Sequence, residues 1–124
     1  MPFVISLDKP SVAGVSDALI ARRGHLGHVL LNRPQALNAI THEIVVSIAA
    51  ALADWAVDDG IAHVAISGAG DRGLCAGGDV AAMYRSATGD GSAAAAFWAD
   101  EYRLNAAIAR YPKPYVAIMD GLVL

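Results

Sequence analysis

The residues with chemical potential crowd into one stretch, "SGAGDRGLCAGGDVAAMY", Ser67 to Tyr84. Three chemistries fit its residue types. Gly68, Gly70 and Gly73 spell G-x-G-x-x-G behind a strand-like run, the pattern of a dinucleotide loop. That chemistry needs Gly73 at the opening of a helix, where free N–H groups and the positive end of the helix dipole meet a pyrophosphate. Here "LCAGGD" follows Gly73 and helix-compatible sequence resumes only at Val80, so the loop is too long for that use.

Cys75, the only cysteine, is the second possibility. A nucleophilic thiol needs a base and an electropositive setting. His25, His28, His42 and His63 are available, but His42 opens a helix, His63 lies in a strand, and no papain-like or caspase-like signature surrounds the cysteine. The stronger reading of Cys75 is a small buried hydrophobe. The third possibility uses the backbone. Gly77 and Gly78 allow positive φ and close approach to a ligand, and Asp79 can cap a helix starting at Val80. Such a cap leaves the Gly78 N–H free to point outward, as a donor to a developing oxyanion. An ordinary glycine turn has the same composition.

These residues need elements to hold them. Ser16 to Asn32 gives two β-rich runs around Gly24 and Gly27, a hairpin that Pro34 breaks. From Thr41, a plausible N-cap, Ile44, Ile48, Leu52 and Trp55 form one apolar stripe of a helix ended by Gly60. Ile61 to Ser67 suits a buried parallel strand. A helix follows Asp79 and fades by "TGDGS"; another runs from Ala93 to about Tyr111, stopped by Pro112 and Pro114; Tyr115 to Gly121 returns to strand and turn. No internal repeat or linker is visible. The alternation predicts an α/β domain with right-handed crossovers.

Composition narrows the function classes. With 56% hydrophobic and 17% charged residues, 124 residues suffice for one core. A net charge of −3 with mixed signs does not call for nucleic acid. A single cysteine excludes an intrachain disulfide framework and a multi-thiolate metal site. The start "MPFVISLDKPSVAG" lacks a signal-peptide pattern, and no apolar run reaches the ~18 residues of a membrane span. The expectation is a soluble cytoplasmic protein, with no membrane partner.

Three separated segments together carry a further signal. "NRPQALNAI" (Asn32 to Ile40), "AISGAGDRGLCAGGDV" (Ala65 to Val80) and "KPYVAIMDG" (Lys113 to Gly121) resemble, in order and spacing, the crotonase or enoyl-CoA hydratase/isomerase superfamily, from about Val15 onward. The resemblance implies a spiral of ββα units, assembly as trimers or dimers of trimers, and action on coenzyme A thioesters with no metal or redox cofactor, the coenzyme belonging to the substrate. It implies that Gly78 supplies the first oxyanion-hole N–H. It also places Gln35, Ala36, Leu37 and Ala76 along the adenine and pantetheine path, with Asp79 counted among the substrate-binding residues. The helix "FWADEYRLNAAIARYPKPYVA" is most similar to the 3-hydroxyisobutyryl-CoA hydrolase branch, whose substrate-contacting glutamate matches Glu101. A carboxylate there can accept a hydrogen bond from a substrate hydroxyl, which an enoyl group does not offer. On the residues alone, the stronger reading of Glu101 is a solvated helix acid paired with a neighbour such as Arg103 or Asn105; the resemblance reverses that order.

The sequence ends "MDGLVL", two residues short of the glycine that the resemblance gives as second oxyanion donor, with the acidic catalytic residues further on. The expectation is therefore the N-terminal part of one crotonase-like domain over residues 1–124, inactive alone and completed by the C-terminal part of the same enzyme or by a second chain. The expected activity is acyl-CoA thioester hydrolysis in valine catabolism, against the alternatives of an enoyl-CoA hydratase and a non-catalytic acyl-CoA-binding or assembly fragment.

Overall fold

The computed structural model describes residues 16–123. The N-terminal stretch read for a signal peptide, the start of the family resemblance at Val15, and Leu124 lie outside them. Strands β1 (Ala18–Arg23) and β2 (Leu26–Leu31) form an antiparallel hairpin turning at Gly24, whose φ of +60° suits glycine. Strand β2 then pairs in parallel with β3 (His63–Gly68), and β3 with β5 (Tyr115–Ala117), giving the sheet order β1-β2-β3-β5. Two very short strands, β4 (Gly73–Cys75) and β6 (Leu122–Val123), pair in parallel as a second sheet. Parallel neighbours need long crossovers. Helix α1 (His42–Ala56) supplies the first, and α2 (Val80–Ala87) with α3 (Ser92–Ala109) the second.

Chain order is thus strand-strand-helix, then strand-strand-helices, then strand-strand. The first round gives the first sheet both its strands, β1 and β2, and each later round adds one strand to the first sheet and one to the second. This is the expected α/β spiral of ββα units, a structural repeat that the sequence does not display.

The core lies where α1 covers the sheet. All six residues of β2 are buried, and Val29 and Val64 have no exposed surface. The expected stripe of Ile44, Ile48, Leu52 and Trp55 is buried, with Val45 and Ala51 beside it. Each large side chain so buried contributes roughly 1.5–3 kcal/mol. Thr41 caps α1 as expected, its Oγ1 accepting from the Ile44 N–H at 3.2 Å.

Several boundaries differ from expectation. Gly27 lies inside β2, not in the turn; a Cβ there would stand 2.5 Å from the Trp55 ring, so glycine makes room for the indole. Helix α1 stops at Ala56, before Gly60, because its end is held by a distant residue: the Lys113 ammonium donates to the Trp55 and Asp58 carbonyls. A cation on terminal carbonyls meets the negative end of the helix dipole. Strand β5 ends at Ala117 instead of running to Gly121.

Candidate functional site

Two loops meet to make the site. The turn after β2 contains a short 3-10 segment, Pro34–Ala36, then Leu37 and Asn38 in left-handed conformation (φ 54° and 56°). Residues 37–40 run alongside residues 76–79. The Ala76 N–H donates to the Leu37 carbonyl (2.9 Å), the Ile40 N–H to the Gly77 carbonyl (2.8 Å), and the Asp79 N–H to the Ile40 carbonyl (2.9 Å). In this parallel bridge between Ile40 and Gly78, the bonds use both backbone groups of Ile40 and those of residues 77 and 79. The N–H and C=O of Gly78 therefore point away from Ile40. Among the described residues the Gly78 N–H has no hydrogen-bond partner.

Asp79 caps α2, accepting from the Ala82 N–H at 3.1 Å, while its other oxygen accepts from Arg33 Nη1 at 3.2 Å. Arg33 also donates to the Ala39 carbonyl at 2.7 Å, so one guanidinium ties both loops together. The Ala82 N–H first, and then the Arg33 charge, hold the Asp79 carboxyl below the usual carboxylate range. Both its oxygens are engaged within the protein.

The sign of that shift gives a test. A carboxyl with a depressed folded-state pKa stabilises above the unfolded value of ~3.9 and loses the contribution as pH falls through the folded value. Asp79→Ala is expected to cost about 1–2 kcal/mol in urea unfolding at pH 7. The gap to wild type should narrow when the same titration is run near pH 3, and an undiminished gap would rule out the charged cap.

Gly68 ends β3, Gly70 takes a φ of +85°, and Gly73 starts β4. No helix opens at Gly73, so the dinucleotide arrangement is excluded. What the segment does instead is receive Asn38. This side chain, 1% exposed, donates from Nδ2 to the Ala69 carbonyl (3.0 Å) and the Gly73 carbonyl (3.4 Å), and accepts from the Arg33 N–H (2.9 Å). Sequence reasoning missed both Asn38 and Arg33. An asparagine shortly after a proline turn, where a left-handed residue is tolerated, was the available signal.

Cys75 is half-buried and packs against the core, and its Sγ accepts from the Gly77 N–H at 3.2 Å. Burial pushes the thiol up in pKa, the Gly77 N–H opposes this in part, and the negative charge of Glu101 adds to the rise. Such a thiol stays protonated, against a nucleophilic role. The histidines point elsewhere: His25 bonds the Gly60 carbonyl, His28 bonds Ser67 Oγ inside the sheet at 2.7 Å, and His42 bonds Asp100 at 2.6 Å.

Glu101 lies on the stripe of α3 that also carries Phe97, Leu104 and Ile108, and it is half-buried. Arg103 pairs with Asp100 (2.7 Å), not with Glu101, and Asn105 is exposed. Among the described residues the Glu101 carboxylate makes no hydrogen bond or ion pair. The structure thus brings Leu37, Ala76, Gly78 and Asp79 together through backbone bonds, with Ala36 half-buried beside them and Gln35 exposed at the open end. Glu101 is close enough to bias Cys75. A Cβ at Gly78 would stand 2.7 Å from Met83 Cε and 3.7 Å from the Phe97 ring. Both residues line a cavity of about 130 Å³. The arrangement presents one backbone donor and one uncompensated carboxylate, enough to polarise a carbonyl and to accept from a hydroxyl.

Comparison with known proteins agrees with this geometry. The profile of the enoyl-CoA hydratase/isomerase family matches residues 26–124. Among curated proteins, the mitochondrial 3-hydroxyisobutyryl-CoA hydrolase of Danio rerio is 38% identical over 109 residues, 88% of this chain, and that of Rattus norvegicus 37% over the same length. The chain spans 28% of the length of each. Among solved structures, a carnitinyl-CoA dehydratase from Mycobacterium thermoresistibile superposes with a TM-score of 0.87 at 56% identity, over 88% of this chain and 32% of its own. An enoyl-CoA hydratase from Rhodobacter sphaeroides gives 0.80 at 44%, over 86% and 32%. A match over most of the chain, on the same spiral, settles the family: this chain belongs to the enoyl-CoA hydratase/isomerase family.

Proposed function

We propose that this chain forms part of an acyl-CoA thioester hydrolase, acting on 3-hydroxyisobutyryl-CoA, and contributes the first donor of its oxyanion hole. The observation that carries the reading is the outward, unpartnered Gly78 N–H at the entrance to α2. The coenzyme A moiety lies along Gln35, Ala36, Leu37 and Ala76. The thioester oxygen accepts from Gly78, water adds to the carbonyl carbon, and the C–S bond breaks to give the free acid and thiol. Glu101 accepts from the 3-hydroxyl. The second donor and the acid-base group belong to the part of the enzyme outside this chain, which spans 28% of the curated hydrolases it matches. Such an enzyme acts as a homo-oligomer.

A second reading, enoyl-CoA hydration, is favoured by the higher identity to the dehydratase and hydratase structures, 56% and 44%. The two differ in product. The intact natural protein is offered 3-hydroxyisobutyryl-CoA and crotonyl-CoA, following thiol release with a disulfide reagent and hydration by loss of enoyl absorbance. Thiol from the hydroxy ester is expected, and Glu101→Ala should raise its KM about tenfold by removing the acceptor. Hydration without thiol release would establish the hydratase, and binding without turnover a non-catalytic acyl-CoA-binding module.

A further inference from the structure

We infer that His42 is a positioning residue that sets the separation between the oxyanion donor Gly78 and the hydroxyl acceptor Glu101. The inference rests on the reading of Glu101 given above. His42 is the first residue of α1, two positions after Ile40, whose backbone is bonded to residues on either side of Gly78. Its other contacts are with α3. Nε2 donates to Asp100 Oδ2 at 2.6 Å, and the ring stands edge-on to Phe97 with centroids 6.1 Å apart and planes at 87°. Phe97 lies 3.7 Å from the Cβ position of Gly78, and Asp100 adjoins Glu101 in sequence. Arg103 fixes the second oxygen of Asp100 at 2.7 Å, so the carboxylate is gripped from both sides.

Neither helix stability nor surface pairing accounts for this arrangement. A side chain that can carry positive charge at a helix N-terminus opposes the dipole, so His42 does not favour α1 by itself. A contact this exposed contributes little to overall stability. The effect left to it is local: it stops α3 from rotating or sliding against the loop that carries Gly78. Among the described residues, the other side-chain bonds from this helix and its immediate continuation to the rest of the chain are at the two ends: Ser92 to Asp90, the Ala94 N–H to Ser86 Oγ, and the Tyr111 hydroxyl to the Leu52 carbonyl. The His42 contact is the tie beside Glu101.

The test compares 3-hydroxyisobutyryl-CoA with isobutyryl-CoA, which lacks the hydroxyl, in the intact enzyme. His42→Ala is expected to raise KM for the hydroxy ester about tenfold, kcat changing less, while KM for isobutyryl-CoA moves by no more than about twofold. His42→Gln, which keeps a donor, should restore most of the loss. The double variant with Glu101→Ala should be no worse than Glu101→Ala alone, because the two act as one unit. An equal rise for both esters, or no rise, overturns the inference while leaving Glu101 as the acceptor, provided Glu101→Ala still separates the esters. If Glu101→Ala does not separate them, or neither ester is turned over, both readings fall.

Discussion

Replacing Gly78 by proline is expected, on the proposed function, to lower kcat of the intact enzyme by about two to three orders of magnitude, the cost of removing one oxyanion-hole donor. Proline takes away the single N–H that the Ile40 bridge leaves pointing outward, and nothing else in the loop can substitute for it. The N–H groups on either side are committed, that of Gly77 to the Cys75 sulfur and that of Asp79 to the Ile40 carbonyl. Alanine is the control. It keeps the N–H, and its Cβ crowds the far end of the Met83 side chain, which can move aside, while meeting the Phe97 ring at an ordinary 3.7 Å. Gly78→Ala should therefore stay within about threefold of wild type, a difference on the scale of a small packing change. Thermal melting of both variants separates lost chemistry from lost fold. Equal activity in the two variants, with both folded, would remove Gly78 from the mechanism.

Which parts of this site the sequence discloses follows from the length of the signal each residue carries. Helix α1 is legible because Ile44, Ile48, Leu52 and Trp55 repeat over about three turns and all are buried. The strands β4 and β6 are not, because three and two residues cannot establish a period, and their pairing is decided by where the spiral brings them. The cap at Asp79 is legible as a local rule, an acid directly before a helix. Its bond to Arg33 spans 46 positions and obeys no local rule. Glu101 shows the same limit from the other side. Of the two partners read for it, Arg103 stands at i+2 on another face of the helix and pairs at i+3 with Asp100, while Asn105 carries no charge. What the sequence hides is that this acid is half-buried, on the stripe that also carries Phe97 and Leu104.

Asn38 is where that long-range bonding concentrates, and its replacement is expected to be the most damaging to the fold of the changes considered. Asn38→Ala should cost about 3–4 kcal/mol, the range for breaking a buried hydrogen-bond network. Two effects add. The Arg33 N–H loses its acceptor, and the Ala69 and Gly73 carbonyls lose a donor in a site that water does not reach freely. A φ of 56° also suits asparagine better than alanine, by roughly 1 kcal/mol. Asn38→Gly separates the two, since glycine accepts the left-handed backbone but makes none of the side-chain bonds. Urea unfolding of the three proteins should therefore rank wild type, then glycine, then alanine, with the larger step between wild type and glycine. If glycine matched wild type, backbone conformation alone would be the role of Asn38. The functional consequence follows from the same bonds. Asn38 pins residues 33–38 to residues 69–73, and residues 37–40 in turn hold the backbone on either side of Gly78. On the proposed function both variants should thus lose catalytic efficiency beyond their unfolded fraction, because the Gly78 N–H proposed as oxyanion donor is aimed by a loop that Asn38 keeps in place.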